Sequence, residues 1–145
     1  MHRCSQCGAL NRVKEAPAGR LPVCGRCKQT LDISGAPQSV NTQAAWETIQ
    51  SSEVPVLVDV WAPWCGPCRS VAPVLDAISR QGAGRFVSLK VNSDENQNFA
   101  ASLGVQGIPT FVVFRGGKEV SRQSGAMPKA AFDSWLGSLG LGPPA

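Results

Sequence analysis

From residue 39 onward the apolar positions change their period block by block, and each block predicts an element. Val56-Leu-Val-Asp-Val-Trp61 and Phe86-Val-Ser-Leu-Lys-Val91 are apolar with almost no alternation. That is the signature of central strands covered on both faces. Between them Val71, Val74, Leu75 and Ile78 recur at helical spacing and predict a helix from Cys65 to about Arg80, with Pro73 kinking its interior. Two buried strands joined by a crossover helix pair in parallel. Before them, a short strand entered at Val40 leads to a helix capped by Asn41 or Thr42, with Ala45, Trp46 and Ile49 on its apolar face. After them, Asp94-Glu-Asn-Gln opens a helix that runs through Phe99 and Leu103 to Gly104. Gly116-Gly117 between Phe111–Phe114 and Glu119–Ser124 signals an antiparallel hairpin. Pro128 suits the first residue of a last helix ending near Leu139 and burying Ala131, Phe132, Trp135 and Leu136. Gly140 to Ala145 are expected to fray. The sum is β-α-β-α-β-α-β-β-α, an α/β fold with a mixed central sheet flanked by helices on both faces.

The first 33 residues break this rhythm. Cys4-Ser-Gln-Cys7 and Cys24-Gly-Arg-Cys27 stand sixteen residues apart, with few large apolar residues between them. Two Cys-x-x-Cys knuckles at this spacing point four thiolates at one tetrahedral metal, zinc first. A segment so short cannot bury a core without such a staple. Iron remains open, because thiolate ligands alone do not separate the two metals. Two disulfides or four free thiols are the bland alternative. Gly8, just after the first knuckle, is placed for the positive φ such a turn asks for. The expected organisation is a zinc-ribbon-like module over 1–33, a linker over 34–38, the α/β domain over 39–141 and a flexible tail over 142–145. His2 is expected to be a tail residue rather than a ligand.

Charge sharpens the division. The chain of 145 residues carries 14 basic and 10 acidic side chains. Residues 1–35 hold six of the basic ones and two of the acidic ones, so the whole net charge of +4 lies there. Four thiolates on a divalent metal would lower it to +2, too little to argue for nucleic acid from charge alone. No apolar run approaches the roughly 18 residues of a membrane span, and Met1-His2-Arg3-Cys4 leads into no apolar stretch of a secretory signal. The expectation is a cytoplasmic, reducing setting, where six cysteines serve as metal ligands or catalytic thiols.

The chemistry concentrates in Asp59-Val-Trp-Ala-Pro-Trp-Cys-Gly-Pro-Cys68. A strand here delivers Cys65 to the start of a helix, whose unpaired N–H groups and dipole favour thiolate over thiol. Cys68 lies one turn on, on the same face, close enough to close a disulfide. Gly66 permits a sharp entry and Pro67 is tolerated in a first helical turn. A second metal site would need ligands from outside, because the other four cysteines are in the N-terminal segment and the single histidine is His2. Asp59, set among valines and a leucine, is expected to be buried, with its pKa raised by desolvation.

These residues carry a resemblance. Val58 to Cys68, Lys90-Val-Asn-Ser-Asp94, Gly107-Ile-Pro-Thr-Phe111 and Gly125-Ala126 together resemble the thioredoxin family, over residues 39–140. With the four-cysteine segment in front, the chain looks like two-domain bacterial members that carry a zinc module. The resemblance implies a thioredoxin fold, an exposed attacking thiol at Cys65 and a less accessible resolving thiol at Cys68. It implies that Asp59 takes the resolving proton, with Lys90 close by, and that Pro109 is a cis-proline facing the disulfide. Ile108 then offers backbone groups to a substrate, while Trp64, Gly66, Pro67, Gly125 and Ala126 form the docking surface around the thiols. Arg69, where many relatives have Lys, and the Gly82-Ala-Gly84 turn depart from the pattern without touching the chemistry.

The activity so implied is protein-disulfide reduction by a monomer that acts on disulfide-containing proteins and is recycled by an NADPH-dependent thioredoxin reductase. One structural zinc and no organic cofactor are expected, and no membrane. The competing reading is a redox- or zinc-responsive binding protein in which the metal module dominates.

Overall fold

The computed structural model describes residues 1–13 and 20–143. In the N-terminal unit β1 (His2–Arg3) pairs antiparallel with β2 (Leu10–Asn11), and Val23 bridges Thr30. Each strand pair turns through a knuckle of the same design. Cys4 and Cys24 each donate their N–H to the residue five ahead, Ala9 and Gln29, and each accepts from the residue four ahead, Gly8 and Lys28. Those last two residues hold positive φ, +80° at Gly8 and +65° at Lys28. The sequence announced the first through glycine and concealed the second under lysine. Leu31 is the large buried side chain of this unit, packed with Cys4 and Cys24.

The larger unit runs β3 (Gln38–Ser39), α1 (Thr42–Ser51), β4 (Val56–Trp61), α2 (Gly66–Gln81), β5 (Val87–Asn92), α3 (Gln97–Ser102), β6 (Thr110–Arg115), β7 (Lys118–Ser124) and α4 (Lys129–Ser138). The sheet order is β3-β5-β4-β6-β7. β3, β5 and β4 are parallel, β6 runs antiparallel to β4, and β7 runs antiparallel to β6, which is the mixed sheet read from the sequence. Alternation sorts β4 between two cores. Val56, Val58 and Val60 meet Ala45 and Ile49 of α1 and Phe99 of α3. Leu57 on the opposite face meets Val71, Leu75 and Ile78 of α2 and Phe132, Trp135 and Leu136 of α4. Helices therefore cover both faces, and a strand buried on both sides has no use for polar residues. Asp59 is the exception, which marks it for function.

Asn41 caps α1, its side-chain oxygen accepting from the Ala44 N–H at 2.8 Å. The third helix begins at Gln97, not at Asp94. Asn92 Oδ1 accepts the Asp94 N–H, the Asn96 amide donates to the Asn92 carbonyl, and Asn96 Oδ1 accepts from Thr42. These local side-chain bonds compete with helix and hold 92–96 as turns. The chain end also departs from the fraying expected of it. Leu141 is buried, its N–H donates to the Leu136 carbonyl at 2.7 Å, and Arg85 binds the Gly142 carbonyl. Residues 144 and 145 of the expected tail lie outside the described residues.

The Ser34–Gln38 segment is fastened rather than slack. Gly35 has φ +81°, and a Cβ there would lie 2.6 Å from the Ser79 carbonyl of α2. Arg3, adjacent to Cys4, donates to Thr48 of α1 and to Gln38 of β3 at 3.1 and 2.7 Å, and Gln38 returns a bond to the Arg3 carbonyl. The Met1 amine donates to the Gly84 carbonyl at 3.0 Å. Among the described residues no helix is long and apolar enough to cross a membrane.

Candidate functional site

The β4–α2 junction builds the site. Cys65 is the N-cap of α2, in extended conformation, and Pro67 sits in the first turn, where its missing N–H would have been orphaned anyway. The Cys68 N–H donates to Cys65 Sγ at 3.2 Å. An N–H aimed at a sulfur from a helix start stabilises negative charge on it. Cys65 and Cys68 form a disulfide with Cα atoms 5.2 Å apart, closing a loop of one helical turn. Gly66 differs from its sequence reading. Its φ is not positive, and a Cβ placed there would meet nothing within 4 Å. The glycine leaves open ground beside the sulfurs rather than permitting a forbidden turn.

Both sulfur residues are 4% exposed. The expectation of an exposed Cys65 over a covered Cys68 is corrected: in the disulfide, Ala62, Trp61 and Ile108 pack around both. Exposure belongs instead to Trp64, at 68%, whose indole N–H donates to Asp94 at 2.9 Å. The Ile108–Pro109 peptide is cis, and the Ile108 carbonyl lies 3.8 Å from Cys65 Sγ. Pro109 in turn accepts the Gly125 N–H at 2.8 Å, with Gly125 at φ +91°. Ile108, Pro109 and Gly125 thus come together beside the disulfide, and Ala126 follows on the exposed surface. The role of Asp94 in steadying Trp64 had no signal in the sequence beyond an acid near a supposed helix start.

Asp59 is 1% exposed, and its Oδ1 has no hydrogen-bond partner. Alternation places it on the sheet face covered by α2, the helix that carries Cys68. Burial pushes its pKa up to about 7, against the pull of the Lys90 ammonium. Lys90 is its register partner on β5, half-buried, with Nζ 4.5 Å from the centre of the Trp61 ring.

A family model described as Thioredoxin matches residues 36–138. The chain belongs to the thioredoxin family. It is 49% identical over 104 residues to "Thioredoxin" of Synechocystis sp., covering 72% of this chain and 96% of that protein. It is 46% identical over 104 residues to "Thioredoxin 1" of Nostoc sp., with the same coverage. A match to "Thioredoxin C-3" of Corynebacterium nephridii is 38% identical over 133 residues, 92% of this chain and 90% of that protein. The redox pair, the fold and these relatives make the chain a protein-disulfide oxidoreductase of thioredoxin type.

The second cysteine constellation lies in the N-terminal unit. The sulfurs of Cys4, Cys7, Cys24 and Cys27 all fall within 4.8 Å of one another, positioned to bind a metal ion. The cross-knuckle pairs Cys4–Cys27 and Cys7–Cys24 are 3.6 Å apart. A tetrahedron of thiolates about 2.3 Å from a zinc ion has edges of about 3.8 Å, so the donor set fits. Its acid–base chemistry also asks for a cation. The backbone N–H of Cys27, ahead of the amide of Asn11 and the N–H of Arg26, draws the Cys24 thiol down to about 6. At Cys27 the lowering bond from Gln29 is outweighed by desolvation and the three neighbouring sulfurs, which push it up to about 11. A cation held among the four sulfurs would favour that thiolate as well.

Proposed function

We propose that this thioredoxin is a reductase of protein disulfides, with Cys65 as attacking and Cys68 as resolving thiol. The supporting observation is the Cys68 N–H on Cys65 Sγ at the head of α2, with a buried carboxyl on the face beneath. In the reduced chain the Cys65 thiolate attacks one sulfur of a target disulfide, and the other leaves as thiolate. Asp59 then takes the proton of the Cys68 thiol. The Cys68 sulfur bonds Cys65, the bond from Cys65 to the target breaks, and the target departs with the electron pair. Two electrons have moved from the dithiol to the target, leaving the Cys65–Cys68 disulfide. An acid poised near neutral pH suits this exchange, because it accepts and returns a proton at little cost. Lys90 tunes it from the neighbouring strand.

Substrate docking falls to the surface around the sulfurs: Trp64 held by Asp94, Gly66 and Pro67 at the helix head, the Ile108 carbonyl beside cis-Pro109, and Gly125 with Ala126. An extended target chain pairs with the free backbone groups of Ile108 as a strand does. An NADPH-dependent thioredoxin reductase returns the electrons. The four N-terminal thiolates would hold one structural zinc, which ties two knuckles into a unit where, among the described residues, Leu31 is the only large buried side chain. We place the functional boundary at 1–33 for the module, 34–38 for the joint and 39–141 for the redox domain, in a cytoplasmic monomer.

The reading with the metal module dominant gains nothing from the geometry. Of the basic side chains behind the net charge, Arg3 is spent on Thr48 and Gln38, Arg12 on Glu53, and Arg26 on the Cys7 carbonyl. The test is insulin reduction with NADPH and thioredoxin reductase. The wild-type chain turns over and Cys65→Ser does not; turnover by Cys65→Ser would overturn the assignment.

A further inference from the structure

Lys90 has a choice of environments. Its ammonium borders a cleft of about 380 Å³ that opens to solvent between the β3–α1 edge and the turn after β5, lined also by Trp61, Asn41, Asn92 and Glu95. Among the described residues Lys90 enters no ion pair, with Asp59 or with Glu95. A lysine beside open water normally turns its head outward. Here Nζ instead stands over the Trp61 indole at 4.5 Å, within the range of a cation–π contact. Trp61 follows Asp59 by two residues on β4, so both point to the same sheet face, and Asp59 is the register partner of Lys90.

We propose that Trp61 is a positioning residue for proton transfer at Asp59: its indole face keeps the Lys90 ammonium turned toward the carboxyl instead of into the cleft. The proposal rests on the acid–base role given to Asp59 above. The charged or titratable groups facing this carboxyl are few. Lys90 comes from β5, its β6 neighbour Phe111 brings no charge, and α2 and α4 bring apolar side chains such as Val71, Leu75, Phe132 and Trp135 to this sheet face. Glu95, across the cleft, is the group that would draw a released Lys90 away. Lys90 lowers the Asp59 proton affinity against burial, so losing its position raises that affinity. Trp61 touches neither substrate nor proton in this account and acts only through Lys90.

The experiment titrates the Asp59 side-chain carboxyl by 13C NMR in the full chain with its metal, for wild type, Trp61→Phe, Trp61→Leu, Lys90→Met and the Trp61→Leu/Lys90→Met double variant. Lys90→Met should raise the Asp59 midpoint, by roughly one pH unit for loss of a single nearby opposite charge. Trp61→Leu should reproduce most of that shift and add nothing in the Lys90→Met background. Trp61→Phe, which keeps a weaker aromatic face and the fold, should give a smaller shift of the same sign. A purely structural tryptophan would lower stability without moving the midpoint. An unmoved midpoint in Trp61→Phe and Trp61→Leu, an unmoved midpoint in Lys90→Met, or additive shifts in the double variant would each overturn the proposal. Resolution of a Cys65 mixed disulfide is timed in parallel. If Asp59→Asn leaves that rate unchanged, the acid–base role of Asp59 fails separately, whatever the NMR midpoints show.

Discussion

Replacing Asp59 with asparagine should stabilise this protein at neutral and alkaline pH and leave it nearly unchanged at pH 4. The folded carboxyl titrates at about 7, because burial disfavours its anion more than Lys90 favours it. In the unfolded chain an aspartate titrates at about 3.9. Between those values the unfolded state has released a proton that the folded state retains, so stability falls as pH rises through the interval. Below the lower value both states are protonated and nothing is lost. Above the upper value the gap of about three units, at 1.36 kcal/mol each, amounts to about 4 kcal/mol against the fold. Asparagine escapes this term, and its buried amide costs about as much as the neutral carboxyl it replaces, so the net gain at pH 8.5 should be about 3–4 kcal/mol. Urea unfolding of wild type and Asp59→Asn across pH 4 to 8.5 reads the difference directly, since all other titrating groups cancel. Two stability curves that run parallel over that range, or a variant weaker at pH 8.5, would refute the reasoning. The gain should come with a loss: mixed-disulfide resolution at pH 7 should slow by roughly 10- to 100-fold, because the resolving proton has lost its acceptor.

The other expectations are more local. Trp64→Ala should raise KM for protein disulfides about 5- to 30-fold, the equivalent of about 1–2 kcal/mol, as removal of a docking anchor does, while reduction of a small disulfide stays within about twofold; equal losses on both would deny it a docking role. Lys28→Gly should strengthen the N-terminal unit by about 0.5–1 kcal/mol, since glycine accepts the φ of +65° at no steric cost, and competition with a chelator dye would show the gain as tighter metal retention. Arg3→Ala takes away the donors to Thr48 Oγ1 and Gln38 Oε1 and should cost about 1–3 kcal/mol in thermal or urea unfolding. Chelation of the metal should collapse the amide signals of residues 1–33 while those of β4 and β6 persist, because the larger unit has its own two-sided core; loss of both sets together would show that the core of β4 depends on the metal.

What the sequence revealed, and what it hid, follows from the range of the forces involved. Val56–Trp61 and Val71–Ile78 were legible because burial on both faces or on one stripe writes a period into the chain. The two knuckles were legible because each puts two cysteines at a fixed short spacing, and their sulfurs come together in one cluster. The Cys65–Cys68 chemistry needs only a strand end and a helix start, and both were in view. The start of α3 was not, because two asparagine side chains, Asn92 and Asn96, the latter also tied to Thr42 far along the chain, hold the segment that Asp94 and Glu95 would have begun as a helix. Nor was the docking of the chain end, where one leucine, Leu141, finds room beside α2 and α4. The contact of Lys90 with Trp61, and of Trp64 with Asp94, joins residues about thirty apart whose only common feature is a shared side of the sheet or its rim.

The central claim is that the head of α2 makes the Cys65 sulfur anionic and that Cys68 stands ready behind it. Timed alkylation of the reduced, metal-bound chain at pH 7, with the modified residue identified by peptide mass, addresses it most directly. The account predicts that Cys65 is modified first and well ahead of glutathione at the same concentration, with Cys68 and the four metal-bound sulfurs lagging. Modification of Cys65 at the glutathione rate, or of Cys68 before it, would contradict the account.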